Sequence, residues 1–261
     1  MRSGFLSWGL CALSLYLTCT CVHVRGTDWV VDLNGDPAAD DAFTSLQSAL
    51  ASDKVGNGDT LTLKPGTYVH DAELAVDKAV TIQGDGTGEA VLQHAGQPKK
   101  VSKTSKSTVW YDPDQYDYSV RVTADGVTFK NVTVGGWEKE RTAFGWMLGV
   151  GASNLTLDTV SFPGLNVRNA VVVYDEVSGL TLRDCTFSGG YYESAVRGGS
   201  TGMVVENNLF GESHWYGGPM QIDDRHPVSG KIRYNFFTYD PGSASKADDF
   251  NQSGLRFDAI G

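Results

Sequence analysis

The side chains in this sequence best suited to chemistry are arginine, histidine and aspartate residues in the last third of the chain. Arg197 is followed by His214 and then by the cluster Asp223-Asp-Arg-His226. An arginine can neutralise a carboxylate, a histidine can carry a proton near neutral pH, and paired aspartates can bind Ca²⁺. The cluster also fits a polar turn between two strands, so a catalytic and a purely structural interpretation of Asp224 and Arg225 both stand.

These residues can act together only if the fold brings separate segments side by side, and an internal repeat predicts that it does. Residues 179–189 have the pattern of a strand, a polar turn and a second strand, and similar segments recur along the chain. The equivalent apolar residues, separated by 28, 25, 23 and 27 positions, are Phe129, Leu157, Leu182, Val205 and Ile232. An earlier relative, Ile82, lies 47 residues before Phe129, which we interpret as two steps.

A period in the twenties built from two short strands predicts a solenoid, because each unit is too small to bury its own apolar face. We therefore predict an all-β fold, a single-stranded right-handed parallel β-helix over residues 27–261. Residues 27–69 would form the N-terminal cap and first coil. A capping helix is expected over residues 42–50, after Asp40 and Asp41 as candidate N-caps. The segment 255–261 begins a coil without an exit cap, as a truncated C-terminal end would.

The first 26 residues predict a secretory signal peptide, because Met1-Arg2 is followed by an apolar run to about Val22. The expected location is therefore extracellular, without membrane contact after cleavage; an uncleaved anchor is the alternative. Three Asn-x-Ser/Thr motifs predict N-glycosylation at Asn131, Asn154 and Asn251. Cys185 would be the single cysteine of the mature chain, which excludes an intrachain disulfide and favours a small buried apolar side chain.

The net charge of −10 argues against a nucleic-acid partner, because phosphate binding needs a basic surface. A local basic strip on an acidic protein can still bind an anionic polysaccharide. We expect a monomer.

The N-terminal motifs resemble the start of pectin-lyase-like right-handed β-helix proteins. They are Gly58-Asp-Thr-Leu-Thr-Leu63, Lys64-Pro-Gly-Thr-Tyr68 and Val80-Thr-Ile-Gln-Gly84, after a predicted helix. The resemblance covers about residues 28–260 and implies three strands in each coil. It implies no single activity, since this superfamily includes lyases, hydrolases, epimerases and binding modules.

If each coil has three strands, a first strand should precede each repeat. The candidates are residues 119–122, 146–148, 170–173, 194–197, 220–223 and 255–258. Because side chains alternate along a strand, the outward residues would be Arg121, Arg197, Gln221, Asp223, Arg256 and Asp258. Loops beside this sheet carry aromatic and charged residues that could bind sugars, namely Trp137, Arg141, Tyr191, Tyr192, Trp215 and Tyr216. Alternatively, these aromatic side chains only pack the loops down.

The resemblance implies a polysaccharide lyase acting on a uronate-containing glycan by β-elimination. Residues 221–237 are similar to an Arg-His segment of alginate and chondroitin lyases, with Arg197 in the place of their lysine. Arg197 and Arg225 would be base and carboxylate neutraliser in unassigned order, and His214 would assist proton transfer. Asp223 and Asp224 would orient that proton transfer or hold Ca²⁺, while Arg121, Gln221 and Arg256 would bind substrate. The alternative is a non-catalytic extracellular glycan-binding or structural protein.

Overall fold

The computed structural model describes residues 26–36, 42–96, 117–137, 145–163, 165–174, 176–188, 190–211, 219–223, 227–238 and 256–258. Apart from Gly26, the predicted signal peptide lies outside these ranges. Within them, no helix has the length and apolar character needed to cross a bilayer.

The described residues form one short helix and 23 strands. In chain order the elements are β1 (Asp28–Val31), β2 (Ala42–Phe43), α1 (Leu46–Ala51), β3 (Thr60–Leu63), β4 (Gly66–His70), β5 (Leu74–Val76), β6 (Thr81–Gly84), β7 (Ala90–His94), β8 (Asp117–Val122), β9 (Thr128–Lys130), β10 (Thr133–Trp137), β11 (Gly145–Val150), β12 (Thr156–Asp158), β13 (Ser161–Phe162), β14 (Leu165–Val173), β15 (Thr181–Arg183), β16 (Thr186–Phe187), β17 (Gly190–Arg197), β18 (Met203–Glu206), β19 (Leu209–Phe210), β20 (Met220–Asp223), β21 (Gly230–Arg233), β22 (Phe236–Phe237) and β23 (Arg256–Asp258).

These strands form three parallel sheets, as the repeat predicted. Sheet A has the order β2-β1-β3-β6-β9-β12-β15-β18-β21, sheet B has β4-β7-β10-β13-β16-β19-β22, and sheet C has β5-β8-β11-β14-β17-β20-β23. The chain passes from sheet C to A to B once in each coil, which is a parallel β-helix.

The predicted register in sheet A is confirmed from Phe129 onward. Phe129, Leu157 and Leu182 are direct partners on neighbouring strands, and Val205 and Ile232 continue the column. The earlier part of the interpretation is wrong, because β6 pairs directly with β9 and Ile82 is the partner of Phe129. The 47 residues are therefore one coil, lengthened by the segment between β7 and β8.

The turn from sheet A to sheet B explains the polar residue at the centre of the repeat. One residue of this turn adopts a left-handed conformation in each of five coils, with φ between 52 and 58°. The residues are Asn131, Thr159, Asp184, Asn207 and Tyr234. Asparagine and aspartate tolerate positive φ better than most side chains, so the turn is least strained where they occupy it.

The interior is filled by columns of identical or similar side chains. Phe162, Phe187, Phe210 and Phe237 stack with centroid separations of 5.0, 4.7 and 5.0 Å. Cys185 is buried and unbridged, as predicted, and burial raises the pKa of its thiol to about 12. Such columns explain the fold's stability, because Phe187 and Phe210 lose water contact on both faces.

The N-terminal cap differs from the predicted one. Helix α1 begins at Leu46, and Ser45, not Asp40 or Asp41, is its N-cap, accepting a hydrogen bond from the Ser48 amide. Ala42 and Phe43 pair with β1 instead of starting the helix. The helix therefore starts directly after Ser45, whose hydroxyl caps it, and not after the two aspartates.

Buried Asp59 ties the cap to the first coil. Its carboxylate accepts hydrogen bonds from the Trp29 indole (2.9 Å) and from the amides of Thr27 (2.7 Å) and Gly56 (2.8 Å). Burial alone would raise the pKa of Asp59, but these bonds and the charge of Lys78 outweigh it and lower that pKa.

Candidate functional site on sheet C

The predicted first strands all lie in sheet C, so the residues proposed from them share one surface. Register partners run from Arg121 through Gly149, Val172, Arg197 and Gln221 to Arg256. Asp223 lies in the same sheet, opposite Asp258, although only the backbone of these two residues is described. The predicted juxtaposition of Arg197 with the β20 strand is therefore confirmed at the level of register.

Strict alternation of side chains fails at one point in β11, and in the same way in β14 and β17. Met147 and Leu148 are consecutive, and both lie in the interior cluster. Trp146, one residue earlier, instead belongs to a separate cluster with Tyr118 and Val172. Its register partner is Asn169, which pairs in turn with Ser194. Because two consecutive residues point inward, the residue before them points toward the outer face of sheet C. These outward residues form a second column, which runs from Tyr118 through Trp146 and Asn169 to Ser194.

An aromatic cluster surrounds Arg121 on this face. The guanidinium carbon lies 5.5 Å from the Tyr118 ring centroid and 5.4 Å from that of Tyr174, and Nε donates to the Tyr174 hydroxyl at 3.0 Å. Trp146 packs beside Tyr118 with a centroid separation of 5.2 Å. Tyr118 and Trp146 are buried, whereas Tyr174 is half-buried and the Arg121 side chain is 29% exposed. Arg121 and Tyr174 are thus the accessible part of this aromatic cluster.

Two glycines make room for the tyrosine rings. A Cβ at Gly149 would lie 2.3 Å from Tyr118 Cδ1, and a Cβ at Gly151 would lie 2.3 Å from the Tyr174 hydroxyl oxygen. Neither glycine has a positive φ, so their role is to leave space and not to permit a special backbone conformation. The rings can therefore lie close against the sheet only because these positions lack side chains.

A second cluster, the Arg–Glu–Arg triad, lies two and three coils further along, on β14 and β17. Glu193 forms ion pairs with both Arg168 and Arg197, and the three side chains are only 10 to 14% exposed. The triad carries a net charge of +1. Since Glu193 stabilises the protonated guanidinium of Arg197, the arrangement favours carboxylate neutralisation over general-base chemistry for this arginine.

Buried polar groups lie beside the triad. The amide nitrogen of Asn169 donates to the Ser194 carbonyl at 2.8 Å and to its hydroxyl at 2.9 Å. The Asn169 Oδ1 atom is buried without a hydrogen-bond donor among the described residues. Asn169 and Ser194 thus form a buried polar layer next to the triad and do not themselves contact solvent.

The charge of Arg121 is reinforced by its neighbours. The hydrogen bond to Tyr174 is the largest cause that raises the pKa of Arg121, and Glu73, 3.9 Å from Nη1, adds to it. Burial raises the pKa of Glu73, with a further contribution from Asp117, while Arg121 opposes that rise. Arg121 is therefore a permanent cation on the sheet C surface.

Two aromatic residues predicted to contact substrate lie elsewhere. Tyr191 is fully buried in β17, and its hydroxyl donates to the Phe162 carbonyl at 2.7 Å, so the prediction that it contacts a ligand is wrong. Residues 190–193 belong to β17 and not to a loop, which turns this ring into the core. Trp137 is buried at the end of β10 against His94, with centroids 5.7 Å apart, and packs down as the structural alternative predicted.

The side chains of the other predicted site residues are not described. Arg141, His214, Trp215, Tyr216, Asp224, Arg225 and Asn251 lie outside the described residues, and of Tyr192, Asp223 and Arg256 only the strand position is described. Within the described ranges, no cluster of three or more His, Cys, Asp or Glu side chains could hold a metal ion. Asn131 and Asn154 are exposed, as acceptors of a glycan must be.

Five residues of the aromatic cluster and the triad were not among the predicted site residues: Tyr118, Trp146, Arg168, Tyr174 and Glu193. Simple alternation from Arg121 would turn Tyr118 inward, so it could not have found this cluster. Arg168 and Glu193 lie in extensions of β14 and β17 that the short repeat did not include. The pattern Gly149-x-Gly151 at the end of β11 was the available signal, since glycines in strands often mark a close approach by another group.

A comparison with solved structures finds carbohydrate-active proteins. A pectin methylesterase in complex with a hexasaccharide matches with a TM-score of 0.45 and 15% identity, over 79% of this chain and 58% of that chain. The Aspergillus niger pectin methylesterase matches with a TM-score of 0.43 and 14% identity, over 91% and 92%. A pectate lyase matches with a TM-score of 0.35 and 11% identity, over 85% and 82%. The chain thus spans less than two thirds of the length of the first of these structures.

A comparison with family models is more specific. A search of curated protein sequences finds no significant match. The model described as rhamnogalacturonase A/epimerase, pectate lyase-like, however, matches residues 31–220, which is most of the chain and includes β11, β14 and β17 of sheet C. The chain therefore belongs to the rhamnogalacturonase A/epimerase, pectate lyase-like family.

Proposed function

We propose that this protein is a secreted carbohydrate-active protein that binds a uronate-containing glycan along the outer face of sheet C and cleaves it by β-elimination. The observation that carries the proposal is the alignment of Arg121, Tyr174 and the Arg–Glu–Arg triad on one face of the solenoid. Aromatic rings stack on the C–H faces of sugars, and guanidinium groups bind carboxylates.

The register gives the length of glycan that the surface could hold. Arg121 and Arg197 are separated by three inter-strand steps, through Gly149 and Val172. At about 4.8 Å for each step, the two backbone positions lie roughly 14 Å apart. That distance suits an oligosaccharide whose carboxylates meet cations at both ends of the surface, with Tyr174 between them.

The proposed reaction removes the proton on the carbon next to the uronate carboxylate. The electron pair forms a carbon–carbon double bond, the glycosidic C–O bond breaks, and the leaving oxygen takes up a proton. Because Glu193 holds Arg197 in its charged form, we assign Arg197 to neutralising the carboxylate. The base then falls to Arg225 or His214, which follow Arg197 in the sequence.

The second candidate is non-catalytic binding of the same glycans, and the ion pair between Glu193 and Arg197 favours it. A charged, paired arginine can bind a carboxylate without taking part in proton transfer. In this case the triad would serve recognition only.

Lyase activity can be tested directly by ultraviolet absorbance of the unsaturated product. We expect absorbance to rise with polygalacturonate, alginate or chondroitin, and Arg225→Ala to abolish the rise while the folded circular dichroism spectrum is retained. A chelator would stop the reaction if Asp223 and Asp224 hold Ca²⁺. Retention of these glycans with no product from any of them would contradict the lyase assignment and support the binding protein.

A further inference from the structure

The guanidinium group of Arg121 is held in place through only one of its three nitrogens. Nε donates to the Tyr174 hydroxyl at 3.0 Å, and the group lies over the rings of Tyr118 and Tyr174. Within the described part of the chain, neither Nη nitrogen donates a hydrogen bond. The two Nη groups therefore keep the paired donors with which an arginine binds a carboxylate.

The carboxylate nearest to these donors belongs to Glu73. This residue directly precedes β5, in which Ala75 is the register partner of Arg121. Glu73 Oε1 lies 3.9 Å from Arg121 Nη1, which is an ion pair but exceeds hydrogen-bond distance. Among the described residues, the Glu73 carboxylate accepts no hydrogen bond. The two charges thus attract each other without forming a closed, bidentate pair.

The ion pair of Glu73 differs from those of the triad. Glu193 is hydrogen-bonded to both Arg168 and Arg197, and its side chain is 14% exposed. Glu73 faces one arginine at a longer distance, and its side chain is 37% exposed. Because exposed ion pairs contribute little to stability, a ligand carboxylate can replace Glu73 beside Arg121 at little cost to the fold.

We infer that Glu73 competes with the carboxylate of a bound glycan for Arg121, and thereby limits how tightly this end of sheet C binds a uronate. This competition presupposes the proposed function, in which a uronate-containing glycan lies along sheet C. A glycan carboxylate that reaches both Nη groups must displace Glu73 and lie close to its charge, and the two anions repel each other. Glu73 is therefore a residue that sets affinity by acting through Arg121.

The same competition gives binding a dependence on pH. Burial raises the pKa of Glu73, and Asp117 raises it further, while Arg121 opposes the rise. Helix α1, which also contacts β5, has no charged residue, and the other groups around Arg121 are Tyr118 and Tyr174. As the pH falls, Glu73 takes up a proton and Arg121 stays charged. Affinity for the glycan should then rise for as long as the glycan's own carboxylates stay ionised.

The experiment titrates the full chain with oligosaccharides from polygalacturonate, alginate and chondroitin at low salt, followed by calorimetry. At pH 7 we expect Glu73→Gln to bind about three- to tenfold more tightly than wild type, since one repulsive charge is removed. Asp184→Asn is the matched control, because it removes the same charge from the turn between sheets A and B. Asp184 is 48% exposed and has a φ of 55°, which asparagine tolerates, so affinity should not change.

Two further measurements separate competition for Arg121 from a general effect on the fold. Between pH 7 and pH 5, the affinity of wild type should rise, and Glu73→Gln should flatten that rise. In an Arg121→Gln background that keeps its circular dichroism spectrum, Glu73→Gln should leave affinity unchanged.

The possible failures are distinct. Wild-type binding that Glu73→Gln does not tighten, or equal tightening by Asp184→Asn, would overturn the competition and leave the proposed function standing. Tightening by Glu73→Gln that persists without Arg121 would also overturn it. No binding of any of the three glycans by wild type or Glu73→Gln would overturn the proposed function and the competition together.

Discussion

At the scale of single residues, Gly149 shows how an absent side chain shapes the candidate site. The Tyr118 ring occupies the space that a Cβ would need, and Tyr118 in turn packs against Arg121. Arg121 and Tyr174 are therefore positioned from beneath by residues that a ligand would not touch. Sequence alone could not show this, because the contact joins two strands 28 residues apart in register.

Gly149→Ala tests that arrangement. The added methyl group overlaps Tyr118, so the ring must move, and we expect the free energy of unfolding to fall by about 1–3 kcal/mol. Binding of a uronate oligosaccharide, measured by calorimetry, should weaken with it. Gly56→Ala is the matched control, since its Cβ would meet nothing within 4 Å and the change should cost less than about 0.5 kcal/mol. Unaltered stability and binding in Gly149→Ala would contradict the packing role of this glycine.

Asp59 gives a prediction for the pH dependence of stability. Its folded-state pKa is lowered, so the ionised carboxylate stabilises the fold above the unfolded-state pKa of about 3.9. That contribution is lost as the pH falls through the folded-state pKa. Urea unfolding between pH 6 and pH 3 should therefore show the stability difference between wild type and Asp59→Asn shrinking as the pH falls. A difference that stayed constant with pH would exclude ionised Asp59 as its source.

At the scale of elements, the repeat predicted the fold because each rung buries its side chains against equivalents on its neighbours. Phe129, Leu157 and Leu182 could be aligned from spacing alone. Spacing failed where a coil is lengthened, so the 47 residues before Phe129 were counted as two rungs. Alternation failed where two residues in succession turn inward, as Met147 and Leu148 do. Both errors arise because tertiary packing decides where a coil is lengthened and which side chains point inward, and residue types alone do not show this.

The phenylalanine column predicts that the stability lost on removing a phenyl ring depends strongly on how deeply that ring is buried. Phe187 is fully buried and stacks on Phe162 and Phe210, so Phe187→Ala should lower the free energy of unfolding by about 3–5 kcal/mol. Phe236→Ala provides the control, because Phe236 is largely exposed and should lose less than about 0.5 kcal/mol. Denaturant titration of both variants measures the contrast. Equal losses would mean that the column does not carry the stacking energy assigned to it.

At the scale of the whole molecule, the distribution of charge over the surface matters more for binding an anionic polymer than the net charge does. The chain carries a net charge of −10, and in sheet A the charges of Asp158, Arg183, Glu206 and Arg233 pair along one column. Sheet C instead carries Arg121, with Glu73 3.9 Å from it and Asp117 close to Glu73, and a triad of net charge +1. An anionic polymer bound there would contact these arginines, with an affinity that falls as salt is added.

The most direct test compares two arginines on different faces of the same solenoid. Arg121→Gln removes a cation from sheet C, whereas Arg183→Gln removes a more exposed cation from sheet A. Calorimetric titration with a uronate oligosaccharide at low salt should show at least about tenfold weaker binding for Arg121→Gln, the loss of one charge-assisted contact, and no change for Arg183→Gln. Equal weakening in both variants, or weakening in Arg183→Gln alone, would contradict the placement of the glycan on sheet C.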